Sequence, residues 1–260
     1  MNQVVFDREM AERLEIAYRA RDIVRRRELV YAALAPQVGE RVLDVGCGPG
    51  YYVSEVLNHV GETGSVLGVD TSRQMLAIAA QRCADRGNVT FKEGDAATLP
   101  VASGTYDAAL SVQVLEYVKD VKGALAEMYR VLRPGGRVVI WDVDWTTVSW
   151  HSADPARMAR LLDVWDGHLA HPALPQTLGA GLREVGFHEV AVAGHVFAAD
   201  ELSPETYIGA IFPLLHEYVA GTGEPAAAEA EDWAAEQRDL SERGAFFFSV
   251  TQFCFSAITS

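Results

Sequence analysis

Between residues 41 and 142, short apolar runs alternate with longer segments whose apolar positions recur at helical spacing. The apolar runs predict five strands, over 41–45, 65–69, 89–93, 106–111 and 137–141. The segments between them predict helices over 51–60, 73–86 and 120–132. Repeated strand–helix alternation is typical of a parallel sheet with right-handed crossovers and helices on both faces.

The pattern differs before and after this core. Residues 7–35 predict one or two amphipathic helices, and we interpret the run Arg25–Arg27 as a solvated helix face because acids flank it. The later segments predict helices over 155–184 with interruptions at Pro172 and Pro175, a sixth strand over 188–198, a helical block over 203–243 and a closing strand over 246–258. No crossover helix of the earlier kind precedes the closing strand, so we expect it to run antiparallel.

A glycine-rich loop follows the first predicted strand. Asp44 interrupts the apolar run of that strand, and Gly46, Gly48 and Gly50 then turn the chain with little side-chain bulk. Glycine tolerates positive φ and lets a ligand lie directly against the backbone. At the carboxyl end of the first strand of an α/β sheet, this arrangement predicts a site for a nucleotide-like, adenosine-containing cofactor.

The spacing of the loop narrows the choice of cofactor. A dinucleotide fingerprint, G-x-G-x-x-G, would need a third glycine at residue 51, where this chain has Tyr51. Pro49 also removes one backbone N–H from any phosphate cradle. The loop therefore favours a ligand without a pyrophosphate, and a nicotinamide-dependent oxidoreductase stays as a less favoured alternative.

Together these features predict a single α/β domain over residues 1–260. We expect a Rossmann-like, seven-stranded, mostly parallel sheet with helices on both faces and an antiparallel last strand. Its predicted parts are an N-terminal helical cap over 1–38, a cofactor-binding core over 40–142, helical substrate or lid segments over 143–187 and 200–244, and the closing strand over 246–258.

Composition excludes several classes of partner. The formal net charge of −14 repels phosphate backbones, so we expect no nucleic-acid partner. No apolar stretch reaches the roughly 20 residues that span a bilayer, and the N-terminus lacks the pattern of a signal peptide, which predicts a cytoplasmic protein. Cys47, Cys83 and Cys254 are far apart and predict neither a disulfide framework nor a metal site.

The segment Asp44–Gly50 resembles the first motif of the class I S-adenosylmethionine-dependent methyltransferases. Four further segments resemble that family in the same order: Asp70 after the second strand, Gly94–Ala96, Asp107–Val118 and Val131–Ile140. Together they cover roughly residues 40–142. The last two segments are most similar to the branch that acts in ubiquinone and menaquinone biosynthesis, although many relatives have histidine where Tyr117 stands.

The resemblance implies S-adenosylmethionine as cofactor and S-adenosylhomocysteine as product. It implies that Asp70 binds the ribose hydroxyls and that Asp95 and Ala96 hold the adenine. We interpret Glu116 as a solvated or capping acid in preference to a catalyst. The full set of implied cofactor-binding residues is Asp44, Gly46, Cys47, Gly48, Gly50, Asp70, Thr71, Met75, Asp95, Ala96, Ser111, Val112 and Gln113.

Methyl transfer from a sulfonium is an in-line displacement that needs a base only when the acceptor atom carries a proton. Candidates follow the predicted fifth strand: Asp142 and His151 as acid–base groups, and Trp145 as part of an aromatic substrate pocket. Tyr18 and His216 are further substrate-binding candidates. We therefore expect a methyltransferase that acts on O, N or C of a small molecule and that can form a homodimer. The alternative is a protein that binds the cofactor without methylating, such as a cyclase.

Overall fold

A computed structural model of the chain describes residues 17–223 and 226–260, so the first 16 residues of the predicted cap lie outside the described part. Seven strands form one sheet in the order β3-β2-β1-β4-β5-β7-β6. The strands are β1 Arg41–Val45, β2 Ser65–Asp70, β3 Val89–Glu93, β4 Tyr106–Val112, β5 Leu132–Trp150, β6 His188–Ala199 and β7 Phe248–Ile258. Strands β1 to β5 pair in parallel, and β7 runs antiparallel to both β5 and β6. The mostly parallel sheet with an antiparallel last strand is thus confirmed.

Eight helices lie in the described part of the chain. They are α1 Arg21–Leu34, α2 Tyr51–Val60, α3 Arg73–Arg82, α4 Val121–Val131, α5 Pro155–Asp166, α6 Pro175–Glu184, α7 Tyr207–Ala220 and α8 Ala226–Glu242. Capping side chains begin several of them: Asp120 accepts a hydrogen bond from the amide of Gly123 at 2.8 Å, and Asp154 from that of Arg157 at 2.9 Å. Helix α3 ends four residues earlier than predicted, because the chain tightens into a turn after Arg82.

The sheet divides the apolar core into two layers. Strands β1 and β4 are buried on both faces, as expected where helices cover both sides of a parallel sheet. Val42 and Val139 face one layer, which contains residues of α1, α2, α5, α7 and α8. Leu43 and Ile140 face the other layer, which contains residues of α4 and α6.

Strand β5 is much longer than predicted. Its pairing with β7 continues past the end of β4, from Arg137 opposite Ile258 to Trp150 opposite Phe248. Between Asp144 and Ser149 the register shifts, so β5 bulges there while β7 runs straight on. The prediction that the fifth strand ends at residue 141 is wrong, because β7 supplies hydrogen-bonding partners beyond the edge of the parallel sheet.

The arginine run in α1 also differs from our interpretation. Arg25 is exposed, but Arg26 and Arg27 are only 3% and 7% exposed, so the solvated-face interpretation is wrong for these two residues. Arg27 Nε donates to Glu55 Oε1 at 2.9 Å, and its Nη1 donates to the carbonyl of Tyr18 at 2.6 Å. Because of these partners, the guanidinium group of Arg27 can be buried on the helix face that packs onto the sheet.

Helix α7 meets α1 above the carboxyl ends of the parallel strands. The amide of Tyr207, in the first turn of α7, donates to Asp22 Oδ2 of α1 at 2.8 Å. A carboxylate at a helix N-terminus is favourable both as a hydrogen-bond acceptor and because of the helix dipole. The contact fixes α7 over the edge of the sheet, the position that the predicted lid segment 200–244 requires.

Candidate active site

A crevice opens where the order of the strands reverses, between β1 and β4. In open α/β sheets, ligands bind at this point beyond the carboxyl ends of the strands. The glycine loop after β1 and the residues after β4 form its two sides and touch each other. A Cβ on Gly46, whose φ is 77°, would overlap the side chain of Val114. Residue 46 is therefore glycine both because its φ is positive and because Val114 leaves no room for a side chain.

The glycine loop is crowded at both ends and open in the middle. A Cβ on Gly50, whose φ is 81°, would lie 2.8 Å from Ala79 Cβ of α3. In contrast, a Cβ on Gly48 would meet nothing within 4 Å. The Sγ of Cys47 lies only 2.8 Å from where a Cβ on Gly68 would sit, so this buried side chain packs against β2. A ligand at this loop therefore meets backbone and the space above Gly48.

Asp70 joins the glycine loop to the start of α3. Its Oδ2 accepts a hydrogen bond from the amide of Gly48 at 2.8 Å, and its Oδ1 accepts one from the amide of Ser72 at 2.8 Å. Ser72, whose Oγ accepts from the amide of Met75 at 3.3 Å, is the N-cap of α3. Each carboxylate oxygen has a second lone pair, so Asp70 can still accept from two hydroxyls of a ligand.

Two polar groups are buried deeper in the crevice. Asp44 is 2% exposed, and its Oδ2 has no hydrogen-bond partner in the described part of the chain. Burial, and secondarily the charge of Asp70, raises the pKa of Asp44 to about 8. The hydroxyl of Ser111 is also buried and makes no hydrogen bond to any described residue. Buried polar atoms are normally paired in folded proteins, so both atoms indicate that a ligand completes the site.

The other residues implied in cofactor binding lie along the same edge of the sheet. Asp95 is exposed, and its Oδ1 accepts from the amide of Ala97 at 2.7 Å. Ala96 and Met75 are buried, whereas Thr71 is exposed. The structure therefore brings the sequence-predicted set to the ends of the first four strands.

The opposite side of the crevice is built from side chains of several elements. Gln113, directly after β4, has an unusual φ of 54° and donates its amide to the carbonyl of Trp141 at 2.7 Å. Its side-chain oxygen accepts from Nη1 of Arg26 in α1, and its Nε2 donates to Oη of Tyr207 in α7 at 3.2 Å. One glutamine thus connects the sheet, the N-terminal helix and the lid segment.

Glu116 belongs to this side and is not solvated as expected. It lies in the 3-10 turn Leu115–Tyr117 and is 1% exposed. The turn is covered by residues 167–174: the carbonyl of Glu116 accepts the amides of Ala170 at 2.9 Å and His171 at 3.0 Å. The expectation was wrong because this segment, distant in sequence, closes over the turn.

The Glu116 carboxylate has one partnered and one unpartnered oxygen. Its Oε2 accepts from Nε1 of Trp145 at 3.0 Å, while Oε1 is buried and has no partner among the described residues. Burial raises the pKa of Glu116 to about 7, and the bond from Trp145 and the charge of Arg26 oppose that rise. The residue therefore titrates near neutral pH.

Asp142, on β5, lies directly after the residue that pairs with the end of β4. It is fully buried, and neither of its oxygens makes a hydrogen bond of normal geometry to a described residue. Burial and the neighbouring charge of Glu116 hold the pKa of Asp142 well above its usual range, although the amides of Glu116 and Leu115 and Arg26 act in the opposite direction. Two interacting acids therefore lie on this side of the crevice.

The remaining sequence-predicted residues are more scattered. Tyr18 stacks on Tyr51 with ring centroids 4.4 Å apart and ring planes 5° from parallel, at the start of α2. His151 is exposed and follows Trp150, whose partner on β7 is five residues from that of Asp142, a separation of about 17 Å. The structure does not bring His151 to the crevice.

His216 lines a different cavity. Its Nε2 lies 3.1 Å from Glu231 Oε1, and the two residues border a groove of about 740 Å³ between α7 and α8. Phe212 and Arg238 line the same groove, whereas none of the crevice residues does.

Comparison with known proteins agrees with this geometry. Residues 43–140 match a family model described as a methyltransferase domain. The chain is 36% identical over 165 residues to an arsenite methyltransferase of Halobacterium salinarum, covering 63% of this chain and 40% of that protein. It is 35% identical over 122 residues to a demethylmenaquinone methyltransferase of Staphylococcus epidermidis, covering 47% and 51%. The chain spans 34–56% of the length of the curated relatives that it matches.

The matched segment, residues 43–140, is a methyltransferase domain similar to that of the class I S-adenosylmethionine-dependent methyltransferases. Among solved structures, the cyclase SpnF superposes with a TM-score of 0.58 and 25% identity, covering 90% of this chain and 80% of that one. The resemblance deduced from Asp44, Asp70 and the glycine loop is therefore confirmed at the level of the family.

The crevice fits S-adenosylmethionine, the cofactor of the methyltransferase family that the chain matches. The unpartnered oxygens of Asp44 and Ser111 can accept from the ammonium of its methionine end. Asp70 can accept from its ribose hydroxyls, and the open space at Gly48 lets it approach the backbone. Burial raises the pKa of the Cys47 thiol, so this side chain stays neutral beside the loop.

Two further observations concern other ligands and membranes. In residues 17–223 and 226–260, no group of three or more His, Cys, Asp or Glu side chains could hold a metal ion. None of the described helices combines the length and apolar character needed to cross a bilayer.

Sequence reasoning missed Arg26, Glu116 and Tyr207 as crevice residues. A signal for Arg26 was present, because Ile23, Arg26, Val30 and Leu34 recur at the spacing of one helix face. An arginine inside an apolar stripe is a candidate for a buried, partnered charge. The local sequence around Glu116 and Tyr207 contains no such signal.

Proposed function

We propose that this chain transfers a methyl group from S-adenosylmethionine to a small-molecule acceptor. The observation that carries the proposal is the glycine loop held by Asp70, next to the buried and unpartnered oxygens of Asp44 and Ser111. This arrangement offers hydrogen-bond acceptors and open space for the cofactor without a cradle for a pyrophosphate.

S-adenosylmethionine supplies an electrophilic methyl group on a sulfonium. The protein residues hold and align the reactants: Asp70 the ribose, Asp95 and Ala96 the adenine, and Asp44 and Ser111 the methionine end. Alignment of this kind supplies much of the rate of a displacement reaction. Helices α1 and α7, joined through Asp22 and Tyr207, exclude water from the crevice.

The acceptor belongs on the side of the crevice formed by Gln113, Glu116, Asp142 and Trp145. Its wall is aromatic as well as acidic, since Trp145 packs edge-on against Trp165 at a centroid distance of 5.5 Å. Of the two acid–base residues expected from the sequence, Asp142 lies in this space and His151 does not. The absence of a nucleic-acid partner, the homodimer and the cytoplasmic location stay predictions.

A second candidate function is a cofactor-binding protein that does not methylate. It is favoured by the likeness to the cyclase SpnF over 90% of this chain. The two functions use the same cofactor residues, so formation of S-adenosylhomocysteine in the presence of acceptors distinguishes them. A screen of small hydroxyl, amine and carbon acceptors, with S-adenosylhomocysteine release as the readout, tests the methyltransferase directly.

Cofactor binding is tested by Asp70→Ala. We expect calorimetry to show loss of S-adenosylmethionine binding, while circular dichroism and the melting temperature show a folded protein. Asp85→Ala is the matched control, because this acid lies in the turn after α3 with its side chain 82% exposed. Undiminished binding in Asp70→Ala would contradict the assignment of the site.

A further inference from the structure

We propose that Glu116 accepts the proton of the methyl acceptor, and that the acceptor is a weakly acidic hydroxyl compound, a phenol or an enol. The proposal rests on the proposed function and concerns its acceptor side. The geometry behind it is a cluster of buried groups around Glu116, which we call the acceptor cluster and which consists of Arg26, Gln113, Glu116, Tyr117, Asp142, Trp145 and Tyr207.

The Glu116 carboxylate is held in one orientation. Trp145 donates to Oε2 at 3.0 Å and is itself fixed, since its amide donates to the carbonyl of Pro172 at 3.0 Å and its ring packs against Trp165. The other oxygen, Oε1, is buried and unpartnered within the described structure. A carboxylate with one oxygen anchored and the other available is suited to receive a proton from a bound ligand.

The two acids of the cluster have different environments. Glu116 has the indole N–H as a donor, whereas the Asp142 oxygens lack a comparable side-chain partner in the described chain. The charge of Glu116 acts on Asp142, and both carboxyl groups cannot ionise at low cost. Asp142 therefore keeps its proton, and Glu116 is the member that ionises.

Arg26 determines which kind of acceptor fits. Its guanidinium is 3% exposed, is oriented by Gln113, and acts on the charges of both Glu116 and Asp142. Tyr117 and Tyr207 also face the acids, and burial and the acids raise their pKa values, so both stay neutral. While Glu116 is ionised and Asp142 is protonated, the charges of Arg26 and Glu116 cancel. Once Glu116 has taken the proton of the acceptor, the cluster is positive, which stabilises the oxyanion and disfavours an ammonium.

The proposed reaction combines proton transfer to Glu116 with methyl transfer to the acceptor. The Glu116 carboxylate takes the proton of the acceptor O–H, and the electron pair of that bond stays on oxygen. This oxygen, or the conjugated carbon of the same enolate, attacks the methyl carbon. The carbon–sulfur bond breaks with its electron pair moving to sulfur, which gives the methylated product and S-adenosylhomocysteine. Glu116 returns its proton to water after product release.

The central experiment compares acceptors in the wild-type chain and in Glu116→Gln. The probes are catechol, 4-nitrophenol and acetylacetone as hydroxyl or enol acceptors, and benzylamine as an amine, with S-adenosylhomocysteine release as the readout. The amide oxygen of glutamine can still accept from Trp145, so the wall of the pocket is kept. We expect turnover of at least one hydroxyl probe, and a loss of about 100- to 10,000-fold in kcat in the variant.

Two further variants test which of the two acids accepts the proton of the acceptor. Asp142→Asn imitates the protonated acid, so we expect it to lose less than about tenfold in kcat, below the lower limit of general-base catalysis. Trp145→Phe keeps the ring but removes the donor to Glu116, so we expect the acidic limb of the pH–rate profile to move up by about one to two units. A purely structural role of Glu116 would leave that limb unmoved.

A measurement without any acceptor covers the case in which a variant folds poorly. Infrared difference spectra of the wild-type chain between pH 5 and pH 9 should show a protonated carboxyl band that disappears with a midpoint near 7. Isotope-edited glutamate identifies it as a Glu band. Absence of a Glu band titrating in this range overturns the proposal.

Other outcomes also overturn the proposal while leaving the proposed function intact. One is methylation of benzylamine at equal rates by the wild-type chain and Glu116→Gln. Another is the failure of every hydroxyl probe while calorimetry shows that S-adenosylmethionine binds. Loss of S-adenosylmethionine binding by the wild-type chain would instead contradict the proposed function itself.

Discussion

The two sides of the crevice are constructed differently. The cofactor side is formed by one stretch of the chain, from Asp44 to Ser111, and its contacts include backbone amides such as that of Gly48. The acceptor cluster combines side chains from α1, α7, β5 and the turn after β4, which are up to 181 positions apart (207 − 26). The first side depends on backbone conformation, and the second depends on the packing of distant elements.

The two sides of the crevice therefore tolerate different substitutions. A backbone site tolerates almost any side chain that points away from the ligand, but it requires glycine where the backbone takes positive φ or is closely approached. A side-chain site can be altered one residue at a time without a change of loop conformation. Substitutions that act on one side only are therefore the way to test the comparison.

The largest expected effect is on the cofactor side, at Gly46. Gly46→Ala should lower the free energy of unfolding by about 2–4 kcal/mol, because its Cβ overlaps Val114 and its φ of 77° disfavours an L side chain. Gly48→Ala should cost only about 1 kcal/mol, since its φ of 50° is the single penalty and the space around its Cβ is open. Urea denaturation measures both values.

The same pair of variants tests where the cofactor lies. The methyl group of Gly48→Ala enters the space left for S-adenosylmethionine, so we expect its affinity to fall at least about tenfold, which corresponds to about 1.4 kcal/mol. Calorimetry measures this loss on a protein that is still folded. Wild-type affinity in Gly48→Ala would show that the cofactor does not lie against this part of the loop.

The next expected effect is a pH dependence of the free energy of unfolding, to which one buried acid on each side of the crevice contributes. Burial raises the pKa of Asp44 to about 8 and that of Glu116 to about 7 in the folded state. A raised carboxyl pKa stabilises the fold below the unfolded pKa of roughly 4, and that stability is lost as pH rises through the folded pKa. We therefore expect the free energy of unfolding to fall between pH 5 and pH 9, by on the order of 2–3 kcal/mol for Glu116 alone.

Two changes separate the contributions of the two sides. Glu116→Gln should remove the part that titrates near 7, while saturating S-adenosylhomocysteine should reduce the part due to Asp44, because the cofactor's ammonium favours its charged form. Urea denaturation at several pH values measures both. A stability that rises from pH 5 to pH 9 in the wild-type chain would contradict the assigned direction of both shifts.

The smallest expected effect is at the contact between α1 and α7. Asp22→Asn removes the charge that receives the Tyr207 amide, so we expect a loss of about 0.5–1 kcal/mol. Hydrogen exchange should become faster at the start of α7 and stay unchanged in the glycine loop. Asp85→Asn, in an exposed turn, is the control and should affect neither region.

The cofactor side could be predicted from the sequence because its signals are local. Glycine positions, the acid after β2 and the strand–helix alternation all lie within about one hundred consecutive residues. The five parallel strands and the antiparallel return of β7 were predicted for the same reason, since each depends on a local hydrophobic pattern.

The acceptor side could not be predicted in the same way. Burial of Glu116 depends on residues 167–174 closing over its turn, and the length of β5 depends on its pairing with β7. Arg26 is a partial exception, because its position on the apolar face of α1 is visible in the sequence. Tertiary contacts between distant segments determine the rest, and one chain does not reveal them.

The bulge in β5 between Asp144 and Ser149 has a consequence for how this protein could be re-engineered. Residues 137–141 are held in register inside the sheet, whereas the bulge lies beyond it, next to Trp145. Inserting two residues there would lengthen the wall by about 6.6 Å and keep the alternation of the side chains. Insertions or deletions in the bulge would therefore change the depth of the acceptor pocket, while the cofactor site keeps its geometry.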